Sequence, residues 1–301
     1  NQSVHEQYGG VVPELAGRAH QQHLIPLVVA AFQKSGISKE TLSAVAFTKG
    51  PGLIGSLMVG CAFAKSMAQS LNIPLIGVNH MQAHILAHFI DEPVPSFPFL
   101  CLTVSGGHTQ LVLVKGYFEF ETIGKTIDDA AGEAFDKSAK LLGLPYPGGP
   151  LIDQYAKEGN PHQFEFPISD LPEFDFSFSG LKTAILYFLR REITNNPNFI
   201  TENLADLCAS IQHSIVKQLL KKLKLAAKQY QCNQLALAGG VSANSLLRNE
   251  LMVLCDQQKW TAFIPAFEYC TDNAGMIAKT ADIQFKEGLF ETMDTTPFAR
   301  H

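Results

Sequence analysis

The sequence predicts an α/β protein of two lobes. Three observations lead there. Short apolar strands alternate with helical stretches along the whole chain. Glycine-rich turns follow a strand in both halves, at Lys49-Gly50-Pro51-Gly52, Ser105-Gly106-Gly107 and Gly239-Gly240. The 301 residues, 46% hydrophobic and 17% charged, suffice for more than one core. A glycine turn between strand and helix lets bare backbone amides approach an anion, so two lobes bearing such turns suit a nucleotide clasped between them.

Composition narrows the functional classes. No apolar run approaches the ~20 residues needed to cross a bilayer, and no basic leader with an apolar core is seen; a soluble protein without a membrane partner is expected, cytoplasmic or else organellar after processing. The six cysteines are scattered, without a Cys-x-x-Cys pair, and read as reduced core residues. A net charge of −5 argues against nucleic-acid binding driven by overall charge, while leaving room for a local basic patch. The chain opens without methionine, in polar sequence, so an N-terminal piece of the natural protein is expected to be missing.

In order, Pro13 suits the first turn of a helix that Gly36 stops, with Pro26 expected to kink it. Ala44 to Thr48 is a buried strand running into the Lys49–Ser56 turn, whose spacing matches neither the Walker loop nor the dinucleotide fingerprint. Pro74 to Val78 is a second buried strand. It leads into Asn79-His80-Met81-Gln82-Ala83-His84, where two imidazoles four residues apart share one helical face at a spacing that suits a divalent metal. A single histidine on such a helix caps a core as readily as it binds; the pair points to a metal, with His88 left structural among Ile85, Leu86 and Phe89. A zinc peptidase would place glutamate directly after the first histidine as general base, and Met81 stands there instead.

Phe99–Val104 and Gln110–Val114 read as two strands of a hairpin closed by Ser105-Gly106-Gly107-His108-Thr109, whose amides can approach a phosphate. Asp128 to Lys137 opens a helix rich in acid, with Asp136 on roughly the face of Asp128 and able to meet a ligand. Pro147 to Pro150 breaks the chain before a short helix carrying Asp153. Phe174 to Thr183 alternates as a strand before entering a helix. A long helix from Glu202 to Tyr230 carries Lys217, Lys221, Lys222, Lys224 and Lys228, a solvated face first and a polyanion surface second. Leu235–Ala238 leads to Gly239-Gly240-Val241-Ser242-Ala243-Asn244, a second nucleotide-type turn. Asp272 is a plausible helix N-cap, and also the carboxylate near a strand end that can complete a two-histidine site.

Taken together, Tyr8–Ala16, Lys49–Leu53, His80 with His84, Val104–His108, Asp128–Lys137, Tyr146–Pro150, Phe176–Lys182, Gly239–Asn244 and Asp272 resemble, in order and spacing, the tRNA adenosine threonylcarbamoyltransferase family, bacterial or organellar type. The resemblance implies the two-lobed fold of actin, sugar kinases and heat-shock chaperones, with 1–102 plus 272–301 as a metal-binding lobe and 103–271 as a nucleotide-binding lobe. It implies one divalent metal, iron or zinc, on His80, His84 and Asp272. It implies threonylcarbamoyl-adenylate on Val104, Ser105, Gly106, Gly107, His108, Asp136, Gly149, Asp153 and Asn244, with no catalytic residue assigned beyond the metal ligands. The implied reaction moves the threonylcarbamoyl group to N6 of adenosine 37 in tRNAs reading codons that begin with A. The implied partners are tRNA, a paralogous inactive subunit and a small ATPase, and a homodimer is admitted. Metallopeptidase activity, a non-catalytic nucleotide-binding scaffold and, from fold analogy alone, a kinase are the alternatives.

Overall fold

A computed structural model describes residues 12–299; Tyr8 to Val11 of the N-terminal motif lie outside the described residues. The chain forms two compact units, Asn1–Ile90 with Asn273–His301, and Asp91–Asp272.

In the first unit, helix α1 (Pro13–Ser35) begins on a proline whose missing N–H is no loss in a first turn and runs through Pro26. It ends where Gly36 turns left-handed and donates its N–H to Phe32 O at 3.0 Å. Strands β1 (Val45–Gly50) and β2 (Leu75–Asn79) pair in parallel, with helix α2 (Ile54–Leu71) as the crossover between them. Phe47, Cys61, Ala64, Ala68 and Leu75 form a small core between these elements, and α1 packs on α2. Helix α3 (His80–Leu86) starts directly at the end of β2.

The second unit is built on a sheet of order β5-β4-β3-β6-β7. Strand β3 (Phe99–Val104) is buried along its whole length, as a central strand with an unbroken apolar run must be. It pairs antiparallel with β4 (Thr109–Gly116), which pairs antiparallel with β5 (Glu119–Lys125). Helices α4 (Ala131–Leu141), α5 (Gly148–Ala156), α6 (Ser179–Asn195) and α7 (Leu204–Gln229) follow. Strand β6 (Gln234–Ala238) runs parallel to β3, and after helix α8 (Ser245–Gln258) strand β7 (Thr261–Phe263) runs parallel to β6. Leu100, Leu111 and Leu237 of the sheet meet Phe135, Ile152 and Ile215 of the helices in one large core. The chain then returns to the first unit as helix α9 (Ala274–Lys286), which packs on α3 and β2.

The lobes expected from the resemblance, 1–102 plus 272–301 and 103–271, and these compact units differ in where they assign Asp91 to Leu102 and Asp272. Two other expectations need correction. Phe174 to Phe178 is not a strand but makes one bridge, Phe176 to Thr126; its alternation arises because Phe174, Phe176 and Phe178 all insert into the core. Lys222 is not solvated. It is buried, with its ammonium donating to Leu171 O at 2.5 Å and Glu173 O at 2.8 Å, and burial pulls its pKa below the usual lysine value. All six cysteines are free and buried, as expected, and burial pushes the Cys101 thiol up to about 12.

Candidate metal centre and substrate site

Helix α3 is held at its start by Asn79, whose Oδ1 accepts from the N–H groups of Met81 at 2.9 Å and Gln82 at 3.1 Å. That cap fixes the first turn and stacks His80 and His84, ring centroids 4.8 Å apart and edge to face. Asp272 joins them from the far end of the chain. The ligand atoms of His80, His84 and Asp272 all lie within 4.8 Å of one another, with His84 buried and Asp272 exposed. Asp272 is not the cap of α9. That duty falls to Asn273, one residue nearer, whose Oδ1 accepts from Met276 N–H at 2.8 Å.

Two imidazoles and one carboxylate are a donor set that zinc and non-haem iron both accept, with coordination positions left over. Bonds of ~2.0–2.1 Å to one tetrahedral ion place donors about 3.3 Å apart. Donor atoms no more than 4.8 Å apart are near that spacing. The residues fit the group.

The remaining candidates lie in the second unit, around the carboxyl ends of the adjacent parallel strands β3 and β6, where open α/β sheets place ligands. Ser105 to His108 closes the β3–β4 hairpin: Ser105 N–H donates to His108 O at 2.8 Å and His108 N–H to Ser105 Oγ at 3.1 Å. The amides of Gly106 and Gly107, both exposed, make no such bond within the turn. The turn is clamped from two sides. Gly132 donates to Ser105 O at 3.2 Å, and a Cβ there would stand 2.5 Å from that oxygen. Gly239, at φ +84, lies so close that a Cβ would stand 2.5 Å from Val104 O.

The polar candidates are joined to one another through helix starts. Asp136 Oδ1 accepts from Gly148 N–H at 2.8 Å and Gly149 N–H at 3.2 Å, so Asp136 on α4 caps α5. Asp153 Oδ1 accepts from Ser245 Oγ at 2.7 Å and Ser245 N–H at 3.1 Å, tying α5 to the start of α8. Asn244 caps α8 through Leu247 N–H at 3.0 Å and donates to Gln212 Oε1 at 2.9 Å. Val104, Ser105, Gly106, Gly107 and His108 thus form one turn, and Asp136, Gly149, Asp153 and Asn244 one chain of caps beside it.

Several roles differ from the sequence reading. Asp128 and Asp129 do not serve the start of their own helix. Asp128 accepts from the hydroxyls of Ser177 and Ser179 and the amides of Phe178 and Ser179, capping α6. Burial favours its protonated form, but those four donors outweigh it and hold the carboxyl below its usual pKa. Asp129 pairs with Lys137 at 2.7 Å. Lys49, in the first glycine turn, is engaged by both oxygens of Glu291 at 2.8 and 2.9 Å, which neutralises that turn as an anion site.

Arg248 escaped the sequence reading altogether. Its Nη1 donates to Ser242 O at 3.1 Å and Pro265 O at 3.0 Å, and its guanidinium lies 4.3 Å from the centroid of Phe267. It ties the Gly239–Asn244 turn to the segment leading into Asp272. Its position four residues after Asn244 was visible; its partners were not.

Residues 1–279 match the family model described as TsaD: tRNA N6-adenosine threonylcarbamoyltransferase. The chain is 57% identical over 300 residues to the tRNA N6-adenosine threonylcarbamoyltransferase of Cytophaga hutchinsonii, covering 100% of this chain and 88% of that protein. It is 53% identical over 304 residues to the protein of that name from Porphyromonas gingivalis, covering 99% of this chain and 89% of that one. Among solved structures, the HypF of T. kodakarensis matches with a TM-score of 0.58 at 15% identity, over 85% of this chain and 42% of that chain. Full-length HypF in a phosphate- and nucleotide-bound form matches with a TM-score of 0.60 at 14% identity, over 83% of this chain and 40% of that chain. This chain spans only about two fifths of each HypF, and at such identities the likeness speaks for the fold alone, which is of the expected actin-like class. Matched along nearly its whole length and more than half identical to relatives of one name, the chain belongs to the tRNA N6-adenosine threonylcarbamoyltransferase family.

Proposed function

We propose that this chain transfers the threonylcarbamoyl group of threonylcarbamoyl-adenylate to N6 of adenosine 37 in tRNAs reading codons that begin with A, with one divalent metal, iron or zinc, held by His80, His84 and Asp272. The observation that carries the metal assignment is the convergence of those three side chains from opposite ends of the chain. Bound there, the ion would supply Lewis-acid polarisation of a carbonyl or hold the threonyl group. The acyl group of an adenylate is already activated, so the protein's task is to bind, orient and shield it. The amides of Gly106 and Gly107 suit the phosphate, and the caps formed by Asp136 with Gly149, and by Asp153 and Asn244, hold the surrounding helix starts rigid around the nucleoside. Val104, Ser105 and His108 shape the same turn.

A peptidase reading lacks its general base, since Met81 stands where glutamate is needed. A scaffold has no use for a metal-ligand triad. Among the described residues no helix is long and apolar enough to cross a membrane, and we place the protein in the cytoplasm, working with a paralogous inactive subunit and a small ATPase, itself alone or as a homodimer. The test is mass spectrometry of nucleosides from tRNA incubated with the chain, its partners, threonine, bicarbonate and ATP. The modified adenosine should appear with the wild type and fall at least 100-fold with Asp272→Ala. Equal yields from both would defeat the metal assignment, and no modified adenosine from either would defeat the activity.

A further inference from the structure

The outward face of α7 supports a second, more specific reading. From Leu207 to Gln229 this helix contains five lysines and one histidine and no acidic residue, in a chain whose net charge is −5. His213, Lys217, Lys221, Lys224 and Lys228 recur at intervals of four, four, three and four, which places them on one stripe. At ~1.5 Å per residue the stripe is about 22 Å long. Among the described residues only Lys221 of these lysines has an ion pair, with Asp170 at 2.6 Å, while Lys222 turns inward. Among the described residues Lys217, Lys224 and Lys228 have no acidic partner within salt-bridge distance.

One end of the stripe opens on a cavity of about 330 Å³ lined by His162, Phe164, Phe166, Ile168, His213 and Lys217. The His162 and His213 rings meet edge to face with centroids 4.9 Å apart. Its volume is at the small end of ligand sites, ~300–1,000 Å³, so it suits one unstacked nucleotide. A basic rim over phenyl groups is how single-stranded RNA is gripped, with phosphate on cations and base on aromatic faces.

We infer that the α7 stripe and the His162–His213 cavity form the surface on which the phosphodiester backbone of the tRNA substrate lies, with one unstacked nucleotide in the cavity. This rests on the tRNA reading above and adds the place of contact. An acidic chain thereby gains a grip on a polyanion without being basic overall. Burial first, then His162 and Lys217, hold the His213 imidazole toward its neutral form, with Glu250 acting in the opposite sense and Glu165 also at the cavity. An arriving phosphate reverses that balance, so binding takes up a proton and tightens as pH falls from 7 toward 6.

The test is the affinity of the full chain for its tRNA across a potassium chloride series. The variants are the triple Lys217→Gln/Lys224→Gln/Lys228→Gln, His213→Gln, and a control of equal charge change on the first unit, Lys34→Gln/Lys39→Gln/Lys286→Gln, each verified as folded by its melting curve. For single strands the slope of log affinity against log salt changes by ~0.7 per lost phosphate contact. The triple variant should therefore flatten the slope by about 2, weaken binding at least tenfold and raise KM for tRNA with KM for the adenylate unchanged. His213→Gln should remove the pH dependence. A triple variant matching the control in slope and affinity would overturn the inference and mark the stripe as a solvated face. Loss of binding to anionic lipid vesicles with tRNA binding unchanged would overturn it in favour of a membrane surface. Modified adenosine made by the wild type in either case would leave the transferase reading standing.

Discussion

At the scale of single residues, the account turns on a few side chains with defined partners. Asn273 rather than Asp272 caps α9, so Asp272→Ala should leave the melting temperature within a few degrees of wild type while elemental analysis shows loss of most of the metal. A collapse of the fold would show that Asp272 is structural. Arg248→Met removes two hydrogen bonds from a charged donor and a cation–π contact; at ~1.5–3 kcal/mol for charged hydrogen bonds, transfer should fall about tenfold or more. Arg248→Lys should restore only part of it, because an ammonium can replace the single Nη1 that meets both carbonyls but not the flat guanidinium over the Phe267 ring. Unchanged transfer by Arg248→Met would refute a positioning role. The histidine pair was legible in the sequence because helical spacing alone sets it. Arg248 was not, because Ser242 and Pro265 become its neighbours only after α8 has folded back on the loop before Asp272.

At the scale of elements, the second unit is organised by side chains that cap helices other than their own. Asp128 holds the start of α6 from fifty residues away in sequence, through Ser177, Phe178 and Ser179. Asp128→Ala should cost ~1–2 kcal/mol, the worth of a strong N-cap, and fray Ser179 to Lys182 in hydrogen exchange. Because its folded pKa is depressed, this contribution is complete above the unfolded value of ~3.9 and is lost as pH falls through the lower folded one. The wild type but not Asp128→Ala should therefore lose that increment at acid pH. Gly239→Ala should cost ~1–3 kcal/mol or more, the penalty for a strained backbone, and weaken adenylate binding through the displaced Ser105 turn. Strands and turns were legible because apolar runs and glycines announce them. The aromatic alternation at Phe174–Phe178 misled, since a buried, irregular segment pinned by an aspartate repeats the period of a strand. Lys222 misled likewise, because periodicity places a residue on a face without saying that another segment covers it.

At the scale of the whole molecule, the cluster proposed to hold the metal takes two histidines from one helix and a carboxylate from nearly two hundred residues later in the chain. The division of the chain into compact units puts the Ser105 and Gly239 turns in the second and the Lys49 turn and the histidine helix in the first. Its exact boundary at Ile90 did not show in the sequence, because a boundary follows from the pairing of β3 with β4 and β6 rather than from a change in composition. Asn244→Ala and Asp136→Ala should weaken adenylate binding, with some loss of stability from uncapped helices, yet leave metal content unchanged; loss of metal in either would show that the two sites are not separate. The most direct test of the central claim is a single-turnover assay in which preformed threonylcarbamoyl-adenylate and tRNA meet the protein after its metal has been stripped and again after reloading with iron or zinc. The account predicts transfer that is lost on stripping, regained on reloading, and not regained by Asp272→Ala. Full transfer by the stripped protein would contradict it.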